Sequence, residues 1–176
     1  MIFEETPLQD AYVVICEPIK DSRGSFARTW CAREFLAQGL VNSFSQCSIS
    51  SNHLKGTLRG LHYQAFPHEE TKLVRCISGS IFDVIVDLRP NSAHFKQWFS
   101  VILSSTNKKA LYVPAGFAHG FQTLANESEL FYQIEGEYVP EASRGIIWND
   151  ASLNISWPLP VTAISAADQN RPRLEP

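Results

Sequence analysis

Lys72-Leu73-Val74-Arg75-Cys76-Ile77-Ser78-Gly79-Ser80-Ile81-Phe82-Asp83-Val84-Ile85-Val86-Asp87-Leu88 is a run of β-branched and apolar residues interrupted once, at Ser78-Gly79. It reads as two strands, Lys72–Ile77 and Ser80–Leu88, joined by a tight turn. Working outward, Ala11–Cys16 is a further strand-like run, ended by Pro18. Trp98–Leu103, Ala110–Val113, Gly120–Leu124 and Glu129–Ile134 continue the series at short spacing. One helix is expected near Ala32–Gln38, with Gly39 as its stop. The segment Ile155–Pro160, with Trp157-Pro158, reads as an edge or packing segment. Many short strands with regular turns predict an all-β fold, a sandwich or barrel of the jelly-roll kind.

The bulk properties narrow the function. At 176 residues, one domain spanning 1–176 is expected, large enough for a substantial core. A formal charge of −3, with no basic run or stripe, argues against nucleic acid as a partner. No apolar run approaches the length of a membrane span, and Met1-Ile2-Phe3-Glu4-Glu5 does not resemble a signal peptide. Cys16, Cys31, Cys47 and Cys76 lack metal-type spacing. Buried reduced thiols are expected in place of disulfides, which suits the cytoplasm.

Three blocks carry chemistry. Gly56-Thr57-Leu58-Arg59-Gly60-Leu61-His62-Tyr63-Gln64 sets a cation and a neutral base three residues apart on a segment flanked by glycines. Lys72-Leu73-Val74-Arg75 follows, and later Pro114-Ala115-Gly116-Phe117-Ala118-His119-Gly120-Phe121. Lys72 shares strand parity with Val74 and Cys76, which points it into a barrel, where a lysine is costly unless it meets an anion. Tyr132 shares parity with Leu130 and Ile134. His62 and His119, with Glu69 or Glu70, would make a two-histidine, one-carboxylate metal set. Against this, His62-Tyr63-Gln64 lacks the second histidine of an HxH pair, and no metal or other cofactor is expected.

Together these blocks resemble the RmlC-type dTDP-4-dehydrorhamnose 3,5-epimerase family, over nearly the whole chain up to Asp168. The resemblance implies a cupin-type jelly-roll barrel with one or two short helices and a metal-independent isomerase acting on a nucleotide-diphosphate 4-keto sugar. The main expectation is conversion of dTDP-4-dehydro-6-deoxy-D-glucose to dTDP-4-dehydro-L-rhamnose. The alternatives are a C3-only or C5-only epimerase on a dTDP-, CDP- or GDP-keto sugar, and a non-catalytic sugar-nucleotide-binding cupin. Such epimerisation needs a base, a donor to the enolate oxygen and an acid across the ring.

The resemblance casts His62 as the base, paired with Asp168 of Ser165-Ala166-Ala167-Asp168. It casts Lys72 as the enolate donor and Tyr132 as the acid, with Tyr138 stacking on the nucleobase. Asp21-Ser22-Arg23-Gly24-Ser25-Phe26 matches the family's D-x-R-G-x-F block. It makes Arg23 and Arg59 the diphosphate clamps, with Phe26, Gln46 and His119 as further substrate contacts. The chain departs from the family at Arg28 and Ser143, where glutamates stand, and at Ala167, where a lysine is common. Arg28, a substrate-contact candidate, takes the place of a glutamate that reads thymine. The resemblance also implies a homodimer formed by exchange of N-terminal strands.

Overall fold

The computed structural model describes residues 1–174. The first strands are β1 (Ile2–Glu5), β2 (Tyr12–Ile15), β3 (Ile19–Asp21) and β4 (Gly24–Phe26), followed by helix α1 (Ala32–Ala37). The middle of the chain supplies β5 (Gln46–Asn52), β6 (Leu58–Gln64), β7 (Thr71–Ser78), β8 (Ser80–Asp87) and β9 (Trp98–Ser104). Then come β10 (Lys109–Val113), β11 (Phe117–Thr123), β12 (Ser128–Glu135), β13 (Ser143–Gly145) and the one-turn helix α2 (Ala166–Gln169).

The strands pair antiparallel into a six-stranded sheet, β1-β2-β10-β7-β12-β5, and a five-stranded sheet, β13-β6-β11-β8-β9. β3 and β4 form a separate hairpin. The two larger sheets face each other as a jelly roll, in line with the all-β expectation. Between them lies the main core, with Val13, Val74, Leu111 and Leu130 from one sheet and Ile81, Ile85, Leu103, Phe117 and Phe121 from the other.

Period-two alternation explains the remaining layers. On β7 and β10, Leu73, Ala110 and Tyr112 face away from the barrel and are covered by Phe35 of α1 and by Leu40. On β8, Val84 and Val86 face away and pack against Leu61, Ala118, Ile146 and Leu153. Both faces of β8 are therefore covered, which is why its sequence is almost continuously apolar. Asp83 is the exception: it lies on the barrel side, between Ile81 and Ile85, and is fully buried.

Several details sharpen the sequence expectations. Of the two readings of Ile155–Pro160, packing holds: the segment forms no strand, Trp157 packs edge-on to Phe82 at 6.0 Å, and its indole N–H donates to the Trp148 carbonyl at 2.9 Å. α1 ends at Ala37, with Gln38 as its cap and Gly39 in a left-handed conformation. All four cysteines are free, but only Cys16 and Cys76 are buried, while Cys47 is exposed on β5. β5 reads Gln-Cys-Ser-Ile-Ser-Ser-Asn and lacks the apolar alternation of a strand. Its pairing with β12 makes it one.

The two glycines of β6 and β11 allow a close approach inside the five-stranded sheet. A Cβ at Gly60 would lie 2.6 Å from the Gly120 Cα, and Gly60 has a φ of +115°. Both neighbours are backbone, so no side-chain rotation relieves the clash. Gly60→Ala is expected to cost about 2–6 kcal/mol in urea unfolding, the backbone strain and the overpacking together. Gly24→Ala is the control, since its φ of +136° carries the strain while nothing lies within 4 Å of the added Cβ. Equal losses in the two variants would show that the strand contact does not limit Gly60.

Candidate active site

The Gly56–Gln64 block is largely strand β6, held between β11 and β13. His62 sits opposite His119 on β11 and opposite Gly145 on β13. The β6–β11 register shifts between His119 and Phe121, at Gly120. The irregularity lies where the two glycines meet, and it sets the two histidines side by side.

His62 is half exposed, and its Nε2 lies 2.6 Å from Oδ1 of Asp168, which is buried. α2 delivers that carboxylate: Ser165 caps the helix by accepting the Asp168 N–H at 3.0 Å. The Gly60 N–H donates to Oδ2 of the same carboxylate at 3.4 Å. With the Nε2–H donating to Asp168, Nδ1 is left as the basic nitrogen. Burial holds the His62 pKa below the usual imidazole value. Asp168 works in the opposite direction, and the charges of Arg171 and Lys72 add to the lowering.

The facing wall comes from the six-stranded sheet. Lys72, Ile134 and Gln46 form one row across β7, β12 and β5, and Val74, Tyr132 and Ser48 form the next. Lys72 is largely buried, and its Nζ lies 3.2 Å from a Glu70 carboxylate oxygen. Gln46 donates from Nε2 to the Gly136 carbonyl at 3.0 Å. The Tyr132 ring stands edge-on to His119, 5.8 Å away. His119 in turn meets Asp83 at 2.7 Å through Nε2. Burial raises the Asp83 pKa, against the pull of His119. Burial, reinforced by the Asp83 charge, raises the Tyr132 phenol well above its usual value. That phenol keeps its proton throughout the physiological range.

Arg59 lies beside His62 along the cavity rim, its Nε donating to the Asn52 side-chain oxygen at 2.8 Å. Arg59, His62, Asp168, Ser165, Thr57 and Arg171 are among the residues lining a cavity of about 440 Å³. Ala167 lines it too and adds no charge.

Of the candidates, Arg59, His62 and Asp168 line this cavity. His119 stands opposite His62 and meets the Tyr132 ring, while Lys72 and Gln46 share a row on the six-stranded sheet. Arg23, Phe26, Arg28 and Tyr138 do not line the cavity either. Arg23 is 88% exposed and bonds Asp21 within the β3–β4 hairpin at 2.7 Å. Phe26 is 77% and Tyr138 61% exposed. Arg28 pairs with Glu34 of α1 at 3.0 Å. His119 is buried, 5% exposed, against Tyr132.

Sequence reasoning missed Asp83, Asn52, Arg171 and the pairing role of Glu70. Asp83 had a readable signal, since a carboxylate between Ile81 and Ile85 at barrel-facing parity must find a partner. The two-histidine metal set is not assembled. Each histidine has its own carboxylate, Glu70 holds Lys72, and no group of three or more metal-type side chains converges among the described residues.

Known proteins match this architecture closely. A family model described as dTDP-4-dehydrorhamnose 3,5-epimerase matches residues 5–176. The dTDP-4-dehydrorhamnose 3,5-epimerase of Shigella flexneri is 44% identical over 161 residues, covering 90% of this chain and 88% of its own. The crystal structure of dTDP-4-dehydrorhamnose 3,5-epimerase from Bacillus anthracis, with TDP and PPi bound, superposes with a TM-score of 0.95 at 39% identity, covering 98% of this chain and 99% of that one. The Legionella pneumophila dTDP-6-deoxy-D-glucose-3,5-epimerase, solved with dTDP-4-keto-L-rhamnose, gives a TM-score of 0.91 at 33% identity, covering 99% of both chains. Agreement in sequence and in three dimensions over almost every residue leads to one conclusion: this chain belongs to the dTDP-4-dehydrorhamnose 3,5-epimerase family, isomerases built on a cupin-like jelly roll.

Proposed function

We propose that the chain epimerises dTDP-4-dehydro-6-deoxy-D-glucose at C3 and C5, giving dTDP-4-dehydro-L-rhamnose. The observation that carries this reading is the placement of a neutral imidazole, His62 on Asp168, on one wall and a protonated phenol, Tyr132, on the opposite wall. A sugar ring between the walls meets a base on one face and an acid on the other.

In this reading, Nδ1 of His62 takes the proton from the carbon beside the ketone. The C–H electron pair moves into an enolate, whose oxygen is met by Lys72. Lys72 is held at 3.2 Å by Glu70 in the free protein, which orients its ammonium for the enolate. Tyr132 then delivers its proton to the other face of the carbon, completing inversion, and solvent restores both groups. Arg59, steadied by Asn52, holds the diphosphate through its remaining guanidinium donors.

Arg23, Phe26, Arg28 and Tyr138 belong to the nucleotide in the same reading, with a homodimer as the working form. The β3–β4 hairpin projects with Phe26 and Ile19 exposed, at 77% and 75%. On the outer face of the six-stranded sheet, Ile49 and Ile77 are exposed as well. A second subunit would cover these surfaces and let Phe26 or Arg28 approach the partner's nucleotide. The free cysteines suit a cytoplasmic setting, and no helix among the described residues is long and apolar enough to cross a membrane.

Incubation with dTDP-4-dehydro-6-deoxy-D-glucose in D₂O, followed by NMR, is expected to place deuterium at both C3 and C5 with inversion. Exchange only with a CDP- or GDP-linked keto sugar would keep the chemistry and change the nucleotide. His62→Asn should slow exchange and inversion together by about 10²–10⁴-fold. Tyr132→Phe should slow inversion by a similar factor while leaving exchange at the abstracted carbon comparatively fast. Equal loss of both in Tyr132→Phe would move the acid role to another residue. Sedimentation of the purified protein is expected to give twice the chain mass, and a monomer at micromolar concentration would remove the shared-site arrangement.

A further inference from the structure

Arg171 reaches the site from the segment after α2, three residues beyond Asp168. That segment is pinned: the Ile147 N–H donates to the Pro172 carbonyl at 2.9 Å, and the Leu174 N–H donates to Asp150 Oδ2 at 2.7 Å. The Arg171 side chain then crosses over Gly145. A Cβ at Gly145 would fall 2.7 Å from the Leu61 carbonyl oxygen, 2.8 Å from Arg171 Nε and 2.9 Å from its Cδ, so the bare glycine leaves room for both the strand and the guanidinium. The guanidinium lines the cavity with its Nε buried and without a hydrogen-bond partner. Nε lies 3.8 Å from Asp168 Oδ1, the oxygen that holds His62. This is too long for a hydrogen bond and short enough for a direct charge interaction.

We propose that Arg171 is a positioning residue: acting through Asp168, it fixes the carboxylate that orients His62 and keeps the imidazole neutral and ready to accept a proton. Asp168 is then held from three sides, by the ring, by the Gly60 amide and by the guanidinium. A cation beside the carboxylate offsets part of its attraction for an imidazolium. Without it, less of the carboxylate's pull on an imidazolium would be offset, and the His62 pKa would rise.

The other groups around His62 do not duplicate this role. Lys72 on β7 lowers the His62 pKa in the same direction but less than Arg171, and its ion pair is with Glu70, not Asp168. His119 stands opposite on β11, with its own Asp83. Arg59, on the same strand, is bonded to Asn52, and Tyr132 on β12 is uncharged. The pKa of His62 is lowered chiefly by burial, with Arg171 contributing in the same direction, as this role requires.

The inference rests on His62 being the base, and the test separates the two. In Arg171→Gln, the ring signals of His62 in the free protein should titrate at higher pH than in the unmodified chain, whatever the reaction. The acid limb of kcat/KM should move to higher pH in parallel, with KM little changed, and Arg171→Lys should restore both. An unmoved His62 titration overturns the proposal. Raised KM with an unmoved titration would do so in favour of direct phosphate contact. A shifted titration with an unshifted rate profile would leave Arg171 in place and remove His62 as the base. Arg171→Lys keeps the test open should the glutamine variant fold poorly.

Discussion

Everything at the barrel mouth depends on how closely β6 and β11 approach at Gly60 and Gly120. The contact is backbone against backbone, and it coincides with the register shift that sets His62 beside His119. The same Gly60 gives its amide to Asp168, tying helix α2 to the strand that bears His62. A side chain at either glycine would separate the strands, disturb the pairing of the histidines and loosen the carboxylate. Two residues without side chains thus place those that have chemistry.

Charge is distributed around the site in local pairs. His62 has Asp168, His119 has Asp83 and Lys72 has Glu70, each within hydrogen-bonding or ion-pair distance. Burying an isolated charge is expensive, and pairing makes this concentration of polar groups tolerable beside an apolar core. The pairs also differ in kind. The one at His62 lines the cavity, whereas the one at His119 is buried against Tyr132.

The fold was legible where alternation is clean. β7, β8, β9, β10 and β12 lie where apolar periodicity put them, and parity alone turned Lys72 and Tyr132 inward. β5 was not legible, because a serine-rich edge strand owes its form to its neighbour. The C-terminal tryptophan segment was ambiguous between edge and packing for the same reason. At the site, the partners of His62 and Lys72 differ in visibility. Glu70 is two residues from Lys72, so it was in view without its role being apparent. Arg171 depends on a path opened by Gly145, which no local pattern encodes. The nucleotide-contact candidates on the β3–β4 hairpin are legible as a motif and remain outside the cavity of the chain taken alone.

The Lys72–Glu70 pair has a bearing on what the empty protein ignores. The cell's most abundant small anions, inorganic phosphate and simple carboxylates, seek any bare ammonium in a concave site. Here the Lys72 ammonium is already paired with the Glu70 carboxylate at 3.2 Å, largely out of water. To displace it, a visitor must bring additional contacts, which a long sugar nucleotide gripping the rim can supply and a lone oxyanion cannot. Any anion that reaches Lys72 must therefore displace a partner that the chain itself supplies two residues away.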